Sequence, residues 1–120
     1  MSATLYERLG GGDAIYRLVC DAVDLHLANP LIATRFEASE DIEHAKRMGA
    51  DFFCAGSGGP EEYRGKDLLT AHRGMNISEQ EFIAVVDDIL QAMDNHGHGD
   101  ELKAEVLAIL YSLKGDVIRV

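Results

Sequence analysis

Residues 66–75 read Lys66-Asp67-Leu68-Leu69-Thr70-Ala71-His72-Arg73-Gly74-Met75. Its apolar residues predict a short helix, and His72 comes four residues after Leu68, on the apolar side of that helix. Gly74 can turn the chain at its end. A histidine in this setting can present a ring nitrogen to the centre of a flat, apolar ligand.

Helical periodicity continues on both sides of this stretch, and no segment alternates convincingly with period two. Two capping boxes, Thr4 with Glu7 and Ser78 with Glu81, predict the starts of two helices. Other helices are predicted to start at Asp13, at Pro30, at Ser39 with Glu40 and Asp41, and at Asp100. We therefore predict an all-α protein with one domain, residues 1–120.

The composition is that of a globular protein, with 47% apolar and 27% charged residues. A net charge of −10 repels phosphate backbones and anionic lipid surfaces, so we expect neither nucleic acid nor a membrane as partner. No apolar run reaches the length of about 18 residues that a transmembrane helix needs. The start of the chain lacks the features of a secretory signal, which predicts a cytoplasmic protein.

Two cysteines, Cys20 and Cys54, lie far apart in the sequence. They do not form a Cys-x-x-Cys motif, and a disulfide is not expected in a reducing compartment. We interpret both as small buried hydrophobic residues.

Several short motifs occur in a characteristic order along nearly the whole chain. They are Leu5-Tyr6-Glu7-Arg8-Leu9-Gly10-Gly11, then Phe36, then Gly58-Gly59 with Tyr63 and Gly65, and finally Ala71-His72. In this order and spacing they resemble the group I truncated haemoglobins. The resemblance implies a two-over-two helical sandwich around haem, with a very short first helix and a loop before the proximal histidine. We expect the loop glycines to let the chain wrap the haem closely.

The resemblance also implies a set of haem-binding residues. His72 would be the proximal iron ligand, and Phe36 would pack on the haem face. The complete predicted set is Phe36, Met48, Phe52, Phe53, Tyr63, Leu68, His72, Met75, Phe82 and Val86. The cofactor would be non-covalent haem b, since the chain has no Cys-x-x-Cys-His motif. For the apolar members of the set, core packing is an alternative that is compatible with a haem pocket.

The distal side departs from the best-known members of the family, which place a tyrosine on the second helix and glutamine on the distal helix. This chain has Val23 on the second helix, and Ala45, Met48 and Gly49 on the distal helix. Each missing hydrogen bond to bound oxygen is worth about 1 to 3 kcal/mol in a dry pocket, so low oxygen affinity or rapid autoxidation is expected. Met48 either packs against the porphyrin, which we favour, or binds the iron as a sixth ligand. His44 is expected to point to solvent or to a haem propionate.

Four cations near the predicted pocket could pair with the propionates: Lys46, Arg47, Arg64 and Lys66. Three classes of function follow from the resemblance. The first is binding of a diatomic gas for oxygen transport, storage or sensing, with a reductase as partner. The second is an enzyme that oxidises nitric oxide or handles peroxide. The third is electron transfer, if Met48 ligates the iron. The sequence leaves the oligomeric state and the physiological ligand open.

Overall fold

The structure, a computed structural model, describes residues 3–37 and 41–120. The helices in these two ranges are α1 (Leu5–Arg8), α2 (Gly12–Ala28), α3 (Ala33–Glu37), α4 (Ile42–Gly56), α5 (Leu68–His72), α6 (Glu79–Asn95) and α7 (Asp100–Ser112). A short 3₁₀ turn follows at Lys114–Asp116. Ser39 and Glu40, which were predicted to begin the distal helix, lie outside the described residues.

Two pairs of helices form the two layers of the fold. Helix α2 packs against α4 in one pair and also against α6, which pairs with α7. The core between them consists of Leu9, Ile15, Leu18, Ala22, Cys54, Ala92, Met93 and Val106. The predicted all-α class and two-over-two sandwich are confirmed. No helix among the described residues is both long and apolar enough to cross a bilayer.

Local signals in the sequence explain most of the helix starts. Both predicted capping boxes are present, since Thr4 Oγ1 accepts from the Glu7 amide and Ser78 Oγ accepts from the Glu81 amide, each at 3.1 Å. The Asp41 carboxylate caps α4 by accepting from the amide of His44 at 3.0 Å.

The prediction that Asp13 caps α2 is wrong. The N-cap is Gly11, whose φ of 86° is a conformation that glycine adopts far more readily than other residues. Asp13 lies instead in the first turn, where its charge is favourable near the positive end of the helix dipole. The helix expected at Pro30 begins only at Ala33.

One glycine between α4 and α5 lies close to an aromatic side chain. A Cβ on Gly59 would overlap the ring of Tyr6, and the residues that line the cavity described below include no glycine of this loop. Close approach to an aromatic ring therefore explains why glycine is required at this position.

Helix α5 is short, and contacts on both sides hold it in place. The Asp67 carboxylate caps its start by accepting from the Thr70 amide at 2.8 Å. After the helix, the amides of Gly74 and Asn76 donate to the carbonyl of Val120 at 3.2 and 3.1 Å. The C-terminal segment thus anchors the loop that follows the helix.

Candidate functional site

A cavity of about 350 Å³ lies between the helical layers. Among residues 3–37 and 41–120, four polar residues contribute to its wall, namely His26, Arg35, His72 and Glu81. The remaining wall is apolar and consists of Leu18, Val19, Ala22, Val23, Ile32, Phe36, Ala45, Gly49, Phe52, Phe53, Leu68, Met75, Ile77, Phe82, Val85, Ile89, Leu110, Leu113 and Val117. An apolar cavity with a few polar groups is typical of a small-molecule or cofactor site.

The structure brings most of the predicted site residues to this cavity. Those in its wall are Phe36, Phe52, Phe53, Leu68, His72, Met75 and Phe82. Met48, Tyr63 and Val86 are not part of the wall.

These three residues lie outside the wall for geometric reasons. The ring of Tyr63 packs edge-on against the ring of Phe52, with a centroid distance of 5.1 Å. Val86 is buried elsewhere, because successive helical residues point about 100° apart and Val85 takes the place at the cavity. Met48 likewise projects from a different side of α4 than its neighbour Gly49, which lines the cavity.

His72 is half-buried in the wall at the end of α5. Its Nδ1 lies 2.9 Å from the carbonyl oxygen of Leu68, one turn earlier. Because a carbonyl can only accept, Nδ1 carries a proton, and the tautomer that can bind a metal is the one with a lone pair on Nε2. This arrangement is the usual one for a histidine that binds a metal.

Of the four distal positions that lack the usual donors, three lie in the wall and Met48 does not. Val23, Ala45 and Gly49 line the cavity and offer no side-chain hydrogen-bond donor. Helices α2 and α4 also come close at this point, since a Cβ on Gly49 would lie 3.3 Å from Val19 Cγ1. This part of the wall is therefore tightly packed and apolar.

Arg35 and Glu81 form a clamp that the sequence did not predict. Arg35 Nε and Nη2 donate to the two carboxylate oxygens of Glu81 at 2.6 and 3.1 Å. Its Nη1 donates to the carbonyl of Met75 at 3.0 Å. The clamp thus joins α3, α6 and the loop after His72. The Arg35 guanidinium and the Ser78 amide together lower the pKa of Glu81 to about 2.

This clamp should make stability depend on pH in the acid range. The folded-state pKa of Glu81 is about 2, below its ordinary value of 4.5, so its contribution is present above pH 4.5 and is lost as pH falls towards 2. We expect the free energy of unfolding to decrease by about 1 kcal/mol over this pH range, because Arg35 is one-third exposed and screening weakens the pair. Urea unfolding of wild type and Glu81→Gln at several pH values measures this decrease in stability.

The matched control is Glu79→Gln, because Glu79 is an exposed glutamate in the same first turn of α6. This control should keep the wild-type pH dependence, whereas Glu81→Gln should flatten it. An equally steep acid dependence in Glu81→Gln would show that the clamp does not contribute.

His26 is a second polar residue that the sequence did not single out. Its only signal was a place on the apolar face of α2. The side chain is 5% exposed, and its Nδ1 lies 2.8 Å from Asp88 Oδ2. The ring stacks on Phe36 at a centroid distance of 4.8 Å. Burial lowers the pKa of His26, although the neighbouring Asp88 opposes the shift.

The four cations predicted near the propionates are absent from the cavity wall. Lys46 pairs with Asp24 at 3.1 Å, and the guanidinium of Arg47 lies 4.1 Å from the ring centroid of Tyr16. Arg64 pairs with Glu62, and Lys66 is exposed. Arg35 is the one cation that lines the cavity among the described residues.

Comparison with known proteins agrees with this architecture. Residues 4–119 match the family model of the bacterial-like globins. The chain is 27% identical to the group 1 truncated hemoglobin of Tetrahymena thermophila, over 96% of this chain and 94% of that protein. It is 29% identical to group 1 truncated hemoglobin GlbN of a Synechocystis species, over 89% of each chain.

Solved structures show the same likeness. The truncated hemoglobin of Tetrahymena pyriformis in its Fe(III) form superimposes with a TM-score of 0.93 at 27% identity, covering 98% of this chain and 100% of that one. The 2/2 hemoglobin of a Synechococcus species, which carries covalently attached heme, gives a TM-score of 0.87 at 25% identity and covers 97% and 98% of the two chains. The chain therefore belongs to the bacterial-like globin family as a truncated globin of group I, and this membership implies a haem cofactor.

Proposed function

We propose that this protein holds one non-covalent haem b in the cavity, with His72 as proximal ligand, and reversibly binds a diatomic gas. The observation that carries the proposal is the free Nε2 of His72 at the wall of an apolar cavity of about 350 Å³. An apolar slot with one unprotonated imidazole nitrogen fits a flat macrocycle whose iron needs a nitrogen ligand.

The haem would supply an iron with one open coordination position for a small gas. The residues of the chain set the conditions around it. The Leu68 carbonyl fixes the tautomer and direction of the His72 ring. The apolar side chains exclude water, and Val23, Ala45 and Gly49 leave the ligand side without a donor. We therefore propose weak retention of oxygen rather than tight storage.

The position of Met48 argues against electron transfer through a histidine and methionine pair. Met48 is not part of the cavity wall, whereas Met75, three residues after His72, is part of it. A sixth ligand from α4 would require this helix to rotate. We propose that the ferrous iron is five-coordinate and open to gas.

Absorption spectra of the ferrous protein test this proposal. The spectrum of the wild type should be high-spin without added ligand and should convert fully to that of the carbon monoxide complex when carbon monoxide is added. Met48→Ala should leave both spectra unchanged, because Met48 does not reach the cavity. Met75→Ala serves as the matched control for a methionine that lines the cavity.

A low-spin ferrous wild type that becomes high-spin in Met48→Ala would show that Met48 is the sixth ligand. Failure to bind haem at all would remove the gas-binding proposal while leaving the globin fold in place.

A further inference from the structure

His26 is held in a fixed orientation by contacts on two sides. Its ring stacks on Phe36 with an interplanar angle of 24°, and its Nδ1 faces the Asp88 carboxylate at 2.8 Å. The same carboxylate oxygen accepts from Asn29 Nδ2 at 3.4 Å, which helps to hold it in place. A buried, stacked and hydrogen-bonded ring has little freedom to rotate.

These contacts determine which ring nitrogen of His26 carries the proton. An ionised carboxylate can only accept, so Nδ1 is the donor to Asp88. Burial keeps the imidazole neutral, because it lowers the pKa of His26. A neutral imidazole has one N–H, so Nε2 is an acceptor.

Of the four polar residues in the cavity wall, Arg35 and Glu81 bind each other. His72 is assigned to the iron in the proposed function. No described residue forms a hydrogen bond with Nε2 of His26. His26 lines the cavity, and its Nε2 is therefore a neutral acceptor available to a molecule bound there. A ligand that donates a hydrogen bond to this nitrogen gains an interaction that a purely accepting ligand lacks.

We propose that His26 is a hydrogen-bond acceptor for the bound ligand and selects small neutral molecules that carry an S–H, O–H or N–H group, such as hydrogen sulfide. The inference rests on the proposed haem site. Ligands that only accept hydrogen bonds, including oxygen, gain nothing from this nitrogen. The selectivity agrees with the lack of donors at Val23, Ala45 and Gly49.

Titration of the haem-loaded protein tests the proposal. Hydrogen sulfide is added to the ferric form and carbon monoxide to the ferrous form, and both are followed by absorption. His26→Leu should weaken sulfide binding about 10-fold, as expected for loss of one hydrogen bond in a dry pocket, and should leave carbon monoxide binding unchanged within about 2-fold. Unchanged sulfide affinity in a folded His26→Leu protein would overturn the proposal.

A second variant keeps the test decisive if His26→Leu does not fold. In Asp88→Asn the amide can donate to Nδ1, which allows the opposite tautomer, so preference for sulfide over carbon monoxide should decrease. Asp87→Asn, an exposed neighbour on the same helix, is the control and should behave like wild type.

Nitrogen-15 NMR of the carbon monoxide form reads the tautomer directly. Wild type should show a proton on Nδ1 of His26 and none on Nε2, and Asp88→Asn should show an increased Nε2–H population. A proton on Nε2 in wild type would overturn the proposal. Absence of a carbon monoxide complex in all variants would instead contradict the haem site itself.

Discussion

His72→Ala is expected to abolish stoichiometric haem binding. Loss of a group that only orients a metal ligand typically costs 10- to 100-fold in affinity, so loss of the ligand itself should cost more than about 100-fold. Titration of the apoprotein with hemin, followed by the Soret band, measures the affinity. Arg35 does not replace the ligand, because its guanidinium binds Glu81 and has no lone pair to offer a metal.

Two controls separate ligation from folding. His44→Ala removes an exposed histidine of α4 that does not line the cavity, and it should bind hemin like wild type. Added imidazole should partly restore the spectrum of His72→Ala, because it can occupy the space of the missing ring. Wild-type hemin affinity in His72→Ala would mean that another residue binds the iron.

Loss of haem is expected to lower the melting temperature by about 15 °C. A ligand present at 1,000 times its Kd stabilises the native state by about 4 kcal/mol, and each kcal/mol corresponds to roughly 4 °C in a domain of this size. The reason is that Phe36, Phe52 and Phe82 share the cavity wall and would lose their common packing partner. Thermal unfolding of apo and haem-loaded protein, monitored by circular dichroism, measures the shift.

Hydrogen exchange locates the part of the chain that the haem stabilises. Protection should decrease most in α5 and in the turns of α4 and α6 that line the cavity, and least around Val106, which is buried in the core away from it. His72→Ala should show a much smaller melting shift with hemin than wild type. Equal melting temperatures for the apo and loaded wild type would show that haem does not fill this cavity.

The sequence determined the class of the fold and most helix starts, because these depend on interactions within a few residues. Capping by Thr4 and Ser78 acts over a span of three residues, and the helix that carries His72 depends on spacing within one turn. The start of α2 was predicted wrongly because Asp13 is a common capping residue. The actual N-cap is Gly11, and it depends on a positive φ that the sequence pattern does not show.

The tertiary structure alone decided which side chains reach the cavity. Arg35 meets Glu81 and His26 meets Asp88 across 46 and 62 residues of sequence, and no local spacing predicts such contacts. Met48 lies outside the wall although its neighbour Gly49 lies within it, because the rotation of α4 is set by its packing against α2. Local sequence fixes where a helix begins and which residues share a face, whereas the direction in which that face points depends on packing between helices far apart in the chain.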